Sequence, residues 1–125
     1  MRWMKRERFH ALVAEALEGI PEPFHSHLDR VEVVVEDEPS EQLLCDMGLR
    51  PRRDTLFGLY EGVPLNERSL DDGPSLPDRI TIFYRPLVRS FRTPAAIRRE
   101  IRKTVVHELG HFFGLDDDDI EAEGY

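Results

Sequence analysis

The chain has 125 residues, 40% of them hydrophobic, and a formal net charge of −8. That length holds one domain with one modest core, spanning the whole chain. The apolar fraction excludes wholesale disorder, the lack of any run of roughly 18 apolar residues excludes a helical membrane span, and the acidic balance makes nucleic acid a poor general partner.

The opening residues, MRWMKRERF, are basic but run into an amphipathic pattern rather than the apolar stretch of a signal peptide. Phe9, Leu12, Val13, Ala16, Leu17 and Ile20 recur at the spacing of one helix face. They predict a packing helix from about Lys5 to Glu18, ended by Gly19 and Pro21. His25 and His27 stand two apart among prolines, a spacing that does not gather two imidazoles on one helix face. Both read as surface residues, and His10 has no ligand partner at helical spacing either.

Val31, Val33, Val34 and Val35, bounded by acids, predict a strand from Val31 to Glu36. Ser40 caps a short helix reaching Met47, closed by Gly48. Cys45 in that helix reads as core filler. A lone cysteine forms no internal disulfide, which makes a cytoplasmic location the plain expectation. Leu56 to Glu61 predicts a second strand, with Gly58 marking a bulge, a bend or a close backbone approach. Gly62 to Asp78, rich in proline and glycine, reads as a long loop.

Arg79 to Tyr84 predicts a third strand, with Ile80, Ile82 and Tyr84 on one face and Arg85-Pro86 ending it. Thr93 then caps, and Pro94 opens, a helix expected to reach Phe113. In its first half Ile97, Ile101 and Val105 face inward, with Arg98, Arg99, Arg102 and Lys103 largely outward. The basic run from Arg85 to Lys103 lacks the repeated aromatics that base stacking uses, so it reads as a solvated face.

The second half of that helix carries His107-Glu108-Leu109-Gly110-His111. Residues four apart share a helix face, so His107 and His111 can each give a nitrogen to one zinc ion. Glu108 lies about 100° round the helix, where a carboxylate borders the metal without ligating it. There it can take a proton from the attacking water and later deliver it to a leaving amine. Val105, Val106, Leu109, Phe112, Phe113 and Leu115 surround the motif and predict a buried helix whose polar groups need partners. Gly114 is a natural stop after which the chain can turn back. Catalytic zinc takes three protein ligands and keeps one open position. Among Asp116, Asp117, Asp118 and Asp119, Asp117 falls where an H-E-x-x-H-x-x-G-x-x-(H/D) pattern places its last ligand, with Asp116 the nearest rival. Two His and a carboxylate also suit Fe²⁺ or Mn²⁺.

The stretch HELGHFFGLDDDD resembles the zincins, and most closely the small bacterial zincin-like metallopeptidases, a minimal zincin of about this length. LFGLYEGVPLNERS and PDRITIFYRPL fit the same resemblance, which covers the chain from Phe9 onward. The metzincins carry a Met-turn after the third ligand, and no Met follows Asp117 here, which sets the chain apart from them. The residue pattern alone predicts an α+β fold. The resemblance implies a zincin-like version: a small mixed or largely antiparallel sheet of three to four strands, an N-terminal backing helix and a C-terminal metal-binding helix.

The leading expectation is a Zn²⁺-dependent peptidase acting on a peptide or protein substrate, with no nucleic-acid or membrane partner. The substrate would add to a free sheet edge, supplied by Leu56–Glu61 or Arg79–Tyr84. Tyr60, Tyr84 and Tyr125 are candidate oxyanion donors. The alternative is a catalytically silent protein in which zinc stabilises a minimal zincin fold. Two further rivals are weaker. A small metal-dependent ribonuclease would carry three His and no Glu after the first, and a metal-free interaction protein would leave HELGH a packed helix.

Overall fold

The apolar stripe at the start of the chain folds as its spacing predicts. Arg6–Glu18 is helix α1, and Phe9, Leu12, Val13 and Ala16 are its buried residues. The computed structural model describes residues 4–62 and 78–125. After α1 come α2 (Phe24–His27), a 3-10 turn (Leu28–Arg30), β1 (Val31–Glu36) and α3 (Glu41–Asp46). Then follow β2 (Gly58–Glu61), β3 (Asp78–Phe83), α4 (Tyr84–Ser90), α5 (Pro94–Phe112) and α6 (Asp117–Ala122). The architecture is α+β. The loop expected between Gly62 and Asp78 lies, over residues 63–77, outside the described residues. No helix among the described residues is long and apolar enough to cross a membrane.

Three strands form one mixed sheet in the order β1-β3-β2. β1 runs parallel to β3, with Val33 opposite Ile80, and β2 runs antiparallel to it, with Tyr60 opposite Ile80. β3 is therefore the central strand, and both rows of its backbone groups are taken by neighbours. Of the two strands expected to offer an edge to an extended ligand, only β2 does so.

Ile80 and Ile82 of β3 are fully buried against Phe9, Leu12 and Ala16 of α1 and Ile97, Ile101, Val105 and Leu109 of α5. Each of these side chains larger than alanine contributes about 1.5–3 kcal/mol through burial. Gly58 lets α5 come close to β2, because a Cβ there would stand 2.7 Å from Thr104 Cγ2. Of the options open for Gly58, the close approach is the one the fold uses.

Two local expectations are corrected. Arg85-Pro86 does not simply end a strand: Tyr84 opens α4, and Pro86 sits in its first turn, where no intrahelical N–H is needed. Tyr84, Pro86, Leu87 and Val88 are buried there. The acidic run after Gly114 is exposed, and from Asp117 it forms the first turn of α6. Cys45 is exposed rather than core filler, because Leu44 takes the inward position of α3 and the next residue points about 100° away.

Candidate metal centre

Two helices meet at the C-terminal corner of the core. α5 starts as expected, with Thr93 Oγ1 accepting from Ala96 N and Pro94 in its first turn. Its last turns carry the motif. Val105, Val106 and Leu109 are fully buried, whereas His107 and Glu108 are half-buried and His111 is exposed. The helix is thus not apolar all round, as its composition suggested. Its imidazole face opens to solvent while the opposite face packs on the core.

The chain reverses at Gly114, whose φ of +83° lies in the left-handed region. Asp116 then caps α6. Its side chain accepts from Asp119 N, and Asp116 N in turn donates to Asp119 Oδ2 at 3.2 Å. Asp116 is committed to that capping box, and Asp117 in the first turn faces the histidines. Asp117 Oδ1 is 2.8 Å from His111 Nε2 and 3.4 Å from His107 Nδ1. One candidate ligand atom from each of the three residues lies within 4.8 Å of the others, the group gathered in this way among the described residues. His111, and to a lesser degree His107, hold the Asp117 carboxyl below the ordinary carboxylate range through their hydrogen bonds to it.

His107 has a second contact. Its Nε2 stands 3.0 Å from the backbone oxygen of Tyr125. With Nδ1 turned to the cluster, the proton sits on Nε2 and is donated to that oxygen, which sets both tautomer and ring orientation.

Glu108 lies beside the cluster and outside it. Its Oε2 accepts from Tyr60 N of β2 at 3.4 Å. Burial pushes the Glu108 carboxyl above its ordinary value, while the Tyr60 amide, His111 and His107 pull the other way. A cleft of about 270 Å³ runs between β2 and α5, lined by residues that include Phe57, Gly58, Lys103, Thr104, His107 and Glu108.

The wall beyond Glu108 is aromatic and holds residues that spacing alone misses. Tyr60 stacks on Phe112 at 4.9 Å, and His27 stacks on Phe112 at 4.8 Å. The Tyr60 hydroxyl donates to Asp78 Oδ2 at 2.5 Å and lies 3.4 Å from His27 Nε2. His27 is therefore a half-buried wall residue and not a surface one, while His25 and His10 are exposed. No sequence period links His27, Tyr60, Asp78 and Phe112, because they come from four different elements.

The three candidate oxyanion donors are placed differently from one another. Tyr60 is bound to Asp78, Tyr84 is buried with its hydroxyl on Met4 O, and Tyr125 packs against the hydrophobic core.

Among curated proteins, none matches this chain. A family profile described as zincin-like metallopeptidase matches residues 28–125. The match takes in the whole sheet, α5 and α6 but begins after α1, so it covers less of the N-terminal region than the motif resemblance implied. On that match, the chain belongs to the zincin-like metallopeptidase family.

Proposed function

We propose that the protein is a zinc-dependent peptidase in which His107, His111 and Asp117 hold Zn²⁺ and Glu108 is the general base. The observation that carries this reading is the meeting of His107, His111 and Asp117 atoms within 4.8 Å. Ligands at about 2.0–2.1 Å on tetrahedral corners stand about 3.4 Å apart; His107 Nδ1 to Asp117 Oδ1 is 3.4 Å, and His111 Nε2 to Asp117 Oδ1 is a hydrogen-bonded 2.8 Å. The donor set of two imidazoles and one carboxylate, open to solvent on one side, suits a catalytic site better than a closed structural one. When bound, zinc supplies Lewis-acid polarisation of the scissile carbonyl and acidifies water at its open position.

The remaining chemistry belongs to the chain. Tyr60 N holds Glu108 Oε2, which leaves Oε1 to take a proton from the attacking water and return it to the leaving amine. A carboxyl raised by burial is matched to that exchange nearer neutral pH than an exposed one. β2 offers an extended backbone edge beside the cleft, and a peptide laid along it presents a carbonyl to the His107–Glu108 face. Tyr125 O keeps the His107 ring in place while the substrate binds.

The test has two stages. Elemental analysis of protein purified without a metal-affinity tag should find about one zinc per chain, and His111→Ala should lose it. A peptide-library assay should then find turnover in the wild type and none in Glu108→Gln. Absence of zinc at micromolar supply would sink the reading.

One observation favours a second reading, a catalytically silent zinc protein. The Tyr60 hydroxyl is bound to Asp78 and the Tyr84 hydroxyl to Met4 O, so neither is poised over the cluster. Under this reading zinc ties the six-residue helix α6 to α5. Tight zinc binding with no cleavage anywhere in a library would select it.

A further inference from the structure

The face of α5 that carries His107 continues toward the N-terminus of the helix. Lys103 precedes His107 by four residues, one turn and about 6 Å along the axis. Lys103 lines the cleft between β2 and α5. It also lines a second recess of about 490 Å³, shared with Arg99, Arg102, Glu123, Gly124 and Tyr125. That recess abuts the metal centre, because Tyr125 O is the acceptor for His107 Nε2.

Three cations and Glu123 thus line one recess in a chain whose net charge is −8. Arg98, on the same helix, is paired with Glu15, and Arg6, Arg79 and Arg89 are paired elsewhere, whereas among the described residues Arg8, Arg30, Arg52, Arg53 and Arg92 are unpaired cations away from this recess. Among the described residues the side chains of Arg99, Arg102 and Lys103 make no hydrogen bond or ion pair. Arg102 lays both its stem and its guanidinium beside Gly19 at the end of α1, at one side of the recess. Cations left unpaired around a concave site beside a reaction centre fit an anionic ligand group.

The geometry points to an anion-accepting subsite, formed by Arg99, Arg102 and Lys103, that selects peptides with an acidic side chain close to the scissile bond. This deepens the peptidase reading and rests on it. An extended peptide advances about 3.4 Å per residue, so a side chain about 6 Å from His107 along α5 belongs to a residue one or two positions from the reacting carbonyl. A nucleic-acid phosphate has the same charge, but a long polyanion would meet the field of a strongly acidic protein, whereas one carboxylate on a short peptide would not.

The probes are acetylated alanine hexapeptide amides carrying one glutamate, moved from position to position, and the same set with glutamine. Binding is measured by calorimetry to the zinc-loaded full chain carrying Glu108→Gln, which stops turnover. At one position glutamate should bind roughly fivefold tighter than glutamine, the size that partly exposed charge pairs give, and added salt should shrink the difference. Arg99→Gln with Lys103→Gln should bring the two peptides together without changing zinc content, and Lys103→Arg should keep the preference. Equal binding at every position, a preference that survives the double substitution, or tighter binding of a short poly-uridine RNA overturns the subsite. Cleavage by the wild type is read separately. Glutamate preference without cleavage keeps the subsite and removes the peptidase reading. Cleavage without glutamate preference does the reverse.

Discussion

Ile120 occupies the space that a side chain on Gly110 would need. A Cβ at residue 110 would lie 2.6 Å from Ile120 Cδ1 and 2.9 Å from its Cγ1. Ile120 is 1% exposed and cannot swing away. The glycine inside the motif is thus the seat on which α6 docks, and α6 carries Asp117. Gly110→Ala gains about 1 kcal/mol of helix propensity but incurs about 1–3 kcal/mol of overpacking. The expected outcome is a net loss of stability in denaturant unfolding, together with weaker zinc binding as α6 is displaced. Adding Ile120→Val, which removes Cδ1, should restore part of the zinc affinity.

Asp116 and Asp117 are neighbours with different partners, which separates their substitutions. Asp117→Ala should lower zinc affinity by at least about tenfold, because the proposed carboxylate ligand is lost. Asp116→Ala should leave zinc stoichiometry intact and reduce stability by about 1 kcal/mol through loss of the cap. Competition with a chelator and thermal unfolding, run on both variants, read the two effects. Equal zinc affinity in both would refute the assignment of Asp117.

Glu108→Gln should retain zinc and lower turnover by about 10²–10⁴-fold, the contribution of a positioned general base. The readout is cleavage of a library-selected peptide at matched zinc content.

The pH dependence of the metal-free protein carries a sign. The Glu108 carboxyl is raised in the fold by burial, so the fold favours its protonated form. Its contribution to stability is complete below the ordinary carboxyl range and is lost as pH rises through the folded value. Glu108→Gln removes that loss. Between about pH 4 and pH 7, the melting temperature of the wild type should therefore fall relative to that of Glu108→Gln. Parallel curves for the two proteins would contradict the burial.

Zinc should stabilise the whole chain. Free zinc at about 100 times its Kd adds about 2.7 kcal/mol if it binds the folded state alone. Scanning calorimetry with and without chelator reads the shift, which should vanish in His111→Ala.

Much of the fold was legible in one dimension. Phe9, Leu12, Val13 and Ala16 name the buried face of α1 by period alone, and the valines of β1 and the cap at Thr93 place their elements nearly to the residue. α4 was hidden because Pro86 stops a helix in its interior but is tolerated in its first turn, and local sequence does not say which applies. α6 was hidden because no apolar period runs through four consecutive aspartates, although Asp116 and Asp119 at cap spacing, followed by Ile120, carried the signal of a capped helix.

The site divides in the same way. His107, Glu108 and His111 are fixed relative to one another by helical period, and the reversal at Gly114 brings an aspartate within reach, so the sequence by itself determined that histidines and a carboxylate could meet. Only the tertiary structure decided that Asp117 faces them while Asp116 caps. It alone put Tyr60 N on Glu108, Tyr125 O on His107, and His27 and Tyr60 on Phe112. It also made β3 central and left β2 as the edge beside the cleft. The physical reason is range. Period and capping act over a few residues along one element, whereas these contacts join separate elements whose approach is set by core packing, and no pattern along the chain encodes that distance.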